Sequence, residues 1–130
     1  MKTFAVLAAM TFGITVSFAY MPERINYGGD RENGKWLEMA AEDGVLYAQY
    51  SYSECCLSGD GAAYDPVTAV KYLRIAAAKG DPDSMYLLGR CLLSGIGCTK
   101  DTVAAKKYLS AAAASGSAYA AKFLKTQSLR

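Results

Sequence analysis

Three stretches of this chain are near-copies: KWLEMAAEDG at 35–44, KYLRIAAAKG at 71–80 and KYLSAAAASG at 107–116, each 36 residues after the last. The same register continues outside the phrase. Gly59 and Gly61 recur as Gly95 and Gly97, Asp65 as Asp101, Ala69 as Ala105, and Tyr50 as Tyr86. A fixed period between about 20 and 50 residues is the signature of stacked supersecondary units, none of which buries enough apolar surface alone.

Each unit reads as two helices. Across 66–79, Ala69, Tyr72, Leu73, Ala76 and Ala77 fall at i, i+3, i+4, i+7 and i+8, one apolar helical face. Asp65 is placed to cap this helix, and Pro66 sits at its first position, where the missing N–H costs nothing. Gly80 is placed to end it in a left-handed conformation. Asp81 and Pro82 open the next helix, which runs to Ser94; Gly95-Ile96-Gly97 turns the chain, and Asp101 caps the helix after that. The pairs Ala40-Ala41, Ala76-Ala77 and Ala112-Ala113 let neighbouring helices approach closely, while Trp36, Tyr72 and Tyr108 supply bulk. In the first copy Asn33 and Gly34 predict a weaker, frayed helix, by up to about 1 kcal/mol for the glycine.

The first 19 residues stand outside this pattern. Lys2 precedes an apolar run from Thr3 to Ala19, which ends in Ser17-Phe18-Ala19 with small residues at −3 and −1 of a cleavage point. That is the anatomy of a secretory signal peptide. An uncleaved anchor is the rival reading, but about 17 residues is short for a span of roughly 20. The expectation is therefore a signal peptide over 1–19, a leader over 20–29, and a periplasmic or secreted product without stable membrane insertion. The chain after Ala19 has 13 basic and 12 acidic side chains. So even a balance argues against nucleic acid as a partner, since phosphate binding needs a basic surplus.

Four cysteines, Cys55, Cys56, Cys91 and Cys98, would favour disulfides after export. A vicinal Cys55–Cys56 bridge is strained. Cys55 and Cys91 lie one period apart, at the roughly 8–10 Å spacing of stacked helices, wider than the roughly 7 Å a disulfide tolerates. Cys55–Cys98 with Cys56–Cys91 is the favoured pairing; the alternative is that one or more are small buried thiols. With no histidine and no CxxC pair, no metal site is expected.

The repeat resembles the Sel1-like repeat, a relative of the tetratricopeptide repeat. The stretch 84–116 carries it best: Leu88-Gly89, Leu92, Gly95, Gly97, Asp101, Ala105, Tyr108, Ala112-Ala113 and Gly116. The stretch 48–80 has Ser53 where glycine is usual and Cys56 at an aromatic position. The resemblance covers about residues 30–127. It implies an all-α fold, a short right-handed α-solenoid of about six helices: a half repeat at 30–44, repeats at 45–80 and 81–116, and a terminal helix at 117–127.

The sequence offers little chemistry. The absence of histidine removes Ser-His-Asp and Cys-His arrangements. Gly59-Asp60-Gly61 and Gly95-Ile96-Gly97 recur at the repeat period, so turns account for them better than a phosphate cradle. Asp65 and Asp101 are accounted for as helix caps. Neither an enzyme nor a cofactor is expected.

Tyrosine is the better signal, with ten in the chain. Tyr47, Tyr50 and Glu54 share one face of a first helix; their counterparts are Asp83, Tyr86 and Arg90, then Tyr119, Lys122 and Thr126. In Sel1-like stacks the first helices line the concave side. The resemblance therefore implies a groove with Tyr50 and Tyr86 at its centre, ringed by Glu54, Asp83, Arg90 and Lys122, that binds a protein partner. Among exported proteins of this kind one known role is immunity, the neutralising of a secreted antibacterial effector such as a phospholipase. A structural, envelope-assembly or virulence adaptor is the alternative.

Overall fold

The structure, a computed structural model, describes residues 31–128, and side chains from Gly34 onward. The expected signal peptide and leader lie outside the described residues. Six helices follow one another: α1 Arg31–Glu42, α2 Leu46–Ser58, α3 Pro66–Ala78, α4 Pro82–Ser94, α5 Thr102–Ala114 and α6 Ala118–Ser128. There are no strands among the described residues. Each helix packs on the next, α4 also meets α6, and α2 and α4 line one cavity, in an all-α solenoid. No helix among the described residues is long and apolar enough to cross a membrane.

The helix ends follow the residues that announced them. Asp65, Asp81 and Asp101 accept hydrogen bonds from the backbone N–H groups of Thr68, Ser84 and Ala104, at 3.0–3.1 Å. These satisfy donors that the first turn cannot satisfy within the helix. At the other ends Gly59 and Gly95 take φ of 76° and 72°, a left-handed conformation that costs a glycine little.

The core repeats as the sequence does. Leu37, Leu73 and Leu109, one period apart, are all buried to within 2% exposure. Each such leucine contributes about 1.5–3 kcal/mol on leaving water. One cluster joins Leu37, Ala41, Ala48, Ala69 and Tyr72; the next joins Val70, Leu73, Leu88, Leu92 and Ala105. Within the first cluster the rings of Tyr52 and Tyr72 meet edge to face at 5.7 Å.

The small residues set the crossings. A Cβ at Gly89 would lie 2.8 Å from Leu109 Cγ and 3.2 Å from the Ala105 carbonyl, so α4 and α5 cross where no side chain intervenes. One period earlier Ser53 stands in that place. Its hydroxyl donates to the Gln49 carbonyl at 2.6 Å and reaches the Ala69 carbonyl, counterpart of Ala105's, at 3.2 Å. The serine is thus buried without an unsatisfied oxygen.

Helix α1 departs from expectation. The frayed element predicted from Asn33 and Gly34 is a regular helix from Arg31 onward. Gly34 is buried against the Gly61 turn, where a Cβ would fall 1.7 Å from the Gly61 carbonyl oxygen. The glycine serves a close approach, and tertiary packing overrides its poor helix propensity.

Candidate functional site

The first helices bring together most of the residues singled out on the helical faces. Tyr50 on α2 is half-buried, and its hydroxyl donates to Glu54 Oε1 at 2.8 Å. Burial pushes its pKa up, and the hydrogen bond to Glu54 and the charges of Glu54 and Asp83 push it further. The same electrostatic neighbourhood includes Tyr119, so α2, α4 and α6 contribute to one patch. At its centre the rings of Tyr86 and Tyr119 stack at 5.9 Å, and Phe123 meets Tyr86 edge to face at 6.1 Å. The Arg90 guanidinium carbon sits 5.8 Å from the Tyr86 ring centroid, within cation–π reach.

Asp83 has a structural duty as well. It accepts a hydrogen bond from the Ser117 hydroxyl at 2.9 Å, and Ser117 Oγ in turn accepts from the Ala120 N–H at the start of α6. Asp83 thereby ties α4 to the helix that carries Tyr119 and Phe123. Tyr119 remains 60% exposed despite its stacking, so the cluster presents ring surface to solvent. Tyr47 is exposed one turn before Tyr50, and Lys122 is exposed on α6 between Tyr119 and Phe123.

Beside the aromatic patch, between the last turns of α2 and α4, lies a cavity of about 480 Å³. Glu54 and Arg90 belong to both features. The cavity's apolar lining, Leu57, Tyr64, Leu87 and Ile96, was not foreseen from sequence, nor was Phe123. Phe123 follows the face position Lys122, and its approach to Tyr86 depends on how α6 docks on α4. Leu57 and Leu87 read as ordinary core positions, and the open space between them follows from helix spacing. Tyr64 and Ile96 precede Asp65 and Gly97 in turns that period arguments treat as connectors.

The cysteines behave differently from the favoured pairing. Neither Cys55–Cys98 nor Cys56–Cys91 is formed, and all four are free thiols. Cys55 and Cys56 pack in the first core cluster, whereas Cys91 belongs to the second with Cys98 against it. The stacking that repeats the core thus assigns the two pairs to separate layers. Burial pushes the Cys55 and Cys56 thiols up and holds Cys91 near about 11, with Cys98 adding to the latter shift. Cys56 takes the place that Leu92 fills one repeat later, and is as buried, acting as a small apolar residue. No group of three or more His, Cys, Asp or Glu is arranged to hold a metal among the described residues.

The sequence matches the Sel1 repeat over residues 35–45, 46–81 and 82–117, most of the chain. This chain belongs to the Sel1 repeat family. Solved structures similar to it include a Sel1 repeat protein from Oxalobacter formigenes, 31% identical, with a TM-score of 0.68 over 75% of this chain and 28% of that one. A protective antigen of uropathogenic Escherichia coli with the same repeat fold, c5321, is 24% identical, with a TM-score of 0.69 over 95% of this chain and 24% of the antigen. Cysteine-rich protein B of Helicobacter pylori is 20% identical, with a TM-score of 0.65 over 93% and 90% of the two chains. The chain therefore spans about a quarter of the first two and nearly all of the third. No curated protein sequence matches it. Sel1 repeats are non-catalytic scaffolds for protein interaction, and in this member the face built by α2, α4 and α6 is the aromatic one.

Proposed function

We propose that this chain is an exported interaction module that holds a protein partner against the face formed by Tyr50, Tyr86, Tyr119 and Phe123. The observation that carries the reading is the exposed ring cluster spanning α4 and α6, edged by Glu54, Asp83, Arg90 and Lys122. Rigid aromatic rings supply contact area at small entropic cost, and Tyr and Arg are frequent binding anchors. Mixed charges at the edge favour a protein over a polyanion. The apolar run at 3–19 supports export to the periplasm or beyond. Within that compartment the role that best suits a small, non-catalytic, nearly neutral chain is immunity: masking a secreted antibacterial effector before it damages its producer.

The test is affinity capture from envelope extracts with the mature protein, followed by titration of the captured partner. Tyr50→Ala with Tyr86→Ala should keep the helical circular dichroism and weaken binding by more than about 2 kcal/mol. Unchanged affinity removes the aromatic face as the interface. A captured toxin whose activity falls on binding supports immunity; a captured envelope component points to the adaptor role instead.

A further inference from the structure

The cavity beside the aromatic face carries chemistry of its own. Its lining includes Leu57 from α2 and Leu87 from α4, with the buried Cys91 and the hydroxyls of Ser58 and Ser94 beside them. Its lip holds two large side chains that solvent touches freely, Tyr64 at 64% and Ile96 at 40% exposure, one from each glycine turn. At about 480 Å³ it lies within the range of roughly 300–1,000 Å³ in which compact ligands lodge.

Two opposite charges belong to the same lining, the exposed side chains of Glu54 on α2 and Arg90 on α4. Among the described residues they form no ion pair with each other. Each is instead engaged by a tyrosine of its own helix, Glu54 through the Tyr50 hydroxyl and Arg90 over the Tyr86 ring. Glu54 Oε2 and the guanidinium edge therefore remain available. An all-acidic occupant would be repelled by Glu54, an all-basic one by Arg90, and a neutral apolar one would leave both charges without a counterpart. The residues that edge the aromatic face also edge the cavity, so a chain lying along the rings passes over its mouth.

We propose that this cavity is a side-chain socket for a protein segment that carries one large apolar residue between a basic and an acidic residue. The apolar side chain enters between Leu57 and Leu87, the basic residue meets Glu54, and the acidic residue meets Arg90. The charges set the direction in which the segment lies, as complementary rim charges fix register at interfaces. This rests on the interaction reading above and narrows it to a recognisable sequence pattern.

Blocked, labelled peptides of the forms Lys-Gly-Trp-Gly-Asp, Lys-Gly-Ala-Gly-Asp, Asp-Gly-Trp-Gly-Asp and Lys-Gly-Trp-Gly-Lys are the probes, read by fluorescence polarisation. The mixed-charge Trp peptide should bind roughly fivefold tighter than the other three, the scale of partly exposed charge pairs. Glu54→Arg should move the preference to Asp-Gly-Trp-Gly-Asp, and Arg90→Glu should move it to Lys-Gly-Trp-Gly-Lys. Ser94→Trp, from an exposed position on the cavity wall, should fill the space and abolish binding of all four. The exchange of preference is the decisive arm, because a misfolded variant loses binding and does not change which charge it selects. Equal binding of the Trp and Ala peptides, or a charge preference untouched by either substitution, overturns the proposal. If that happens while partner capture still depends on Tyr50 and Tyr86, the aromatic face stands and only the socket falls.

Discussion

Gly34 of α1 lies so close to the turn at Gly61 that a Cβ on the first would sit 1.7 Å from the carbonyl oxygen of the second. On helix propensity alone, Gly34→Ala should stabilise by about 1 kcal/mol. Here the clash is with backbone, which cannot rotate away. The variant is therefore expected to lose stability by about 1–3 kcal/mol or more, as overpacked sites do. Urea denaturation decides the sign; a gain in midpoint would mean that α1 is not held against the turn.

Val45 offers the opposite case. It precedes α2 with φ −69° and ψ 113° and gives the helix no side-chain cap. Its counterpart Asp81 caps α4 from φ −71° and ψ 114°. The backbone at Val45 is thus already in the capping conformation and lacks only the carboxylate. Val45→Asp should raise stability by about 1 kcal/mol, measured by the same denaturation. A neutral or negative change would show that the packing of Val45 outweighs a cap.

Buried tyrosines and thiols make the fold sensitive to alkali, Tyr50 and Tyr52 among them. Burial raises the pKa of Tyr50 and Tyr52 above the ordinary 10.0 in the folded chain. Their contribution is whole below that value. Above it the unfolded chain loses protons that the folded chain keeps, so stability falls as pH rises. The midpoint of urea unfolding should drop between about pH 9 and pH 11, and the drop should shrink in Tyr50→Phe with Tyr52→Phe. An equal drop in that variant would assign the sensitivity to Tyr72 and the buried thiols of Cys55, Cys56 and Cys91 instead.

Thiol chemistry should separate the cysteines. Cys55, Cys56 and Cys91 are buried, while Cys98 is partly exposed. Burial and the neighbouring Cys98 push the Cys91 thiol up to about 11, so little thiolate exists near neutrality. Iodoacetamide on native, reduced protein at about pH 8 should label Cys98 first and Cys91 slowly, as read by peptide mass mapping. Equal rates would indicate that the α4 turn opens readily.

Much of this architecture can be read from spacing. The 36-residue period, with Asp65, Asp81 and Asp101 before α3, α4 and α5 and with Gly59 and Gly95 after α2 and α4, marks where those helices begin or stop. Those residues act on backbone groups a few positions away, so local sequence contains the whole interaction. The face of Tyr50, Tyr86 and Lys122, with Tyr119 one turn before Lys122, is legible for the same reason, since residues one period apart fall on matching faces of successive first helices. Gly34 is not, because its partner at Gly61 is reached only after two helices have packed. Nor is the socket, since a void between Leu57 and Leu87 depends on the distance between helices. Both leucines look alike in sequence whether or not anything fills the space beside them.

The bare surface at Gly89 admits Leu109, and with it the whole of α5. One period on, in α6, the residue at that position is Lys125. A helix laid across α6 in the manner of α5 across α4 would have to displace a charged four-carbon stem, and the contact that propagates the repeat has no room to form. A second copy joined end to end in the repeat's own register would have to bury Lys125 at this surface. The aromatic face imposes no such desolvation of a charge at its centre.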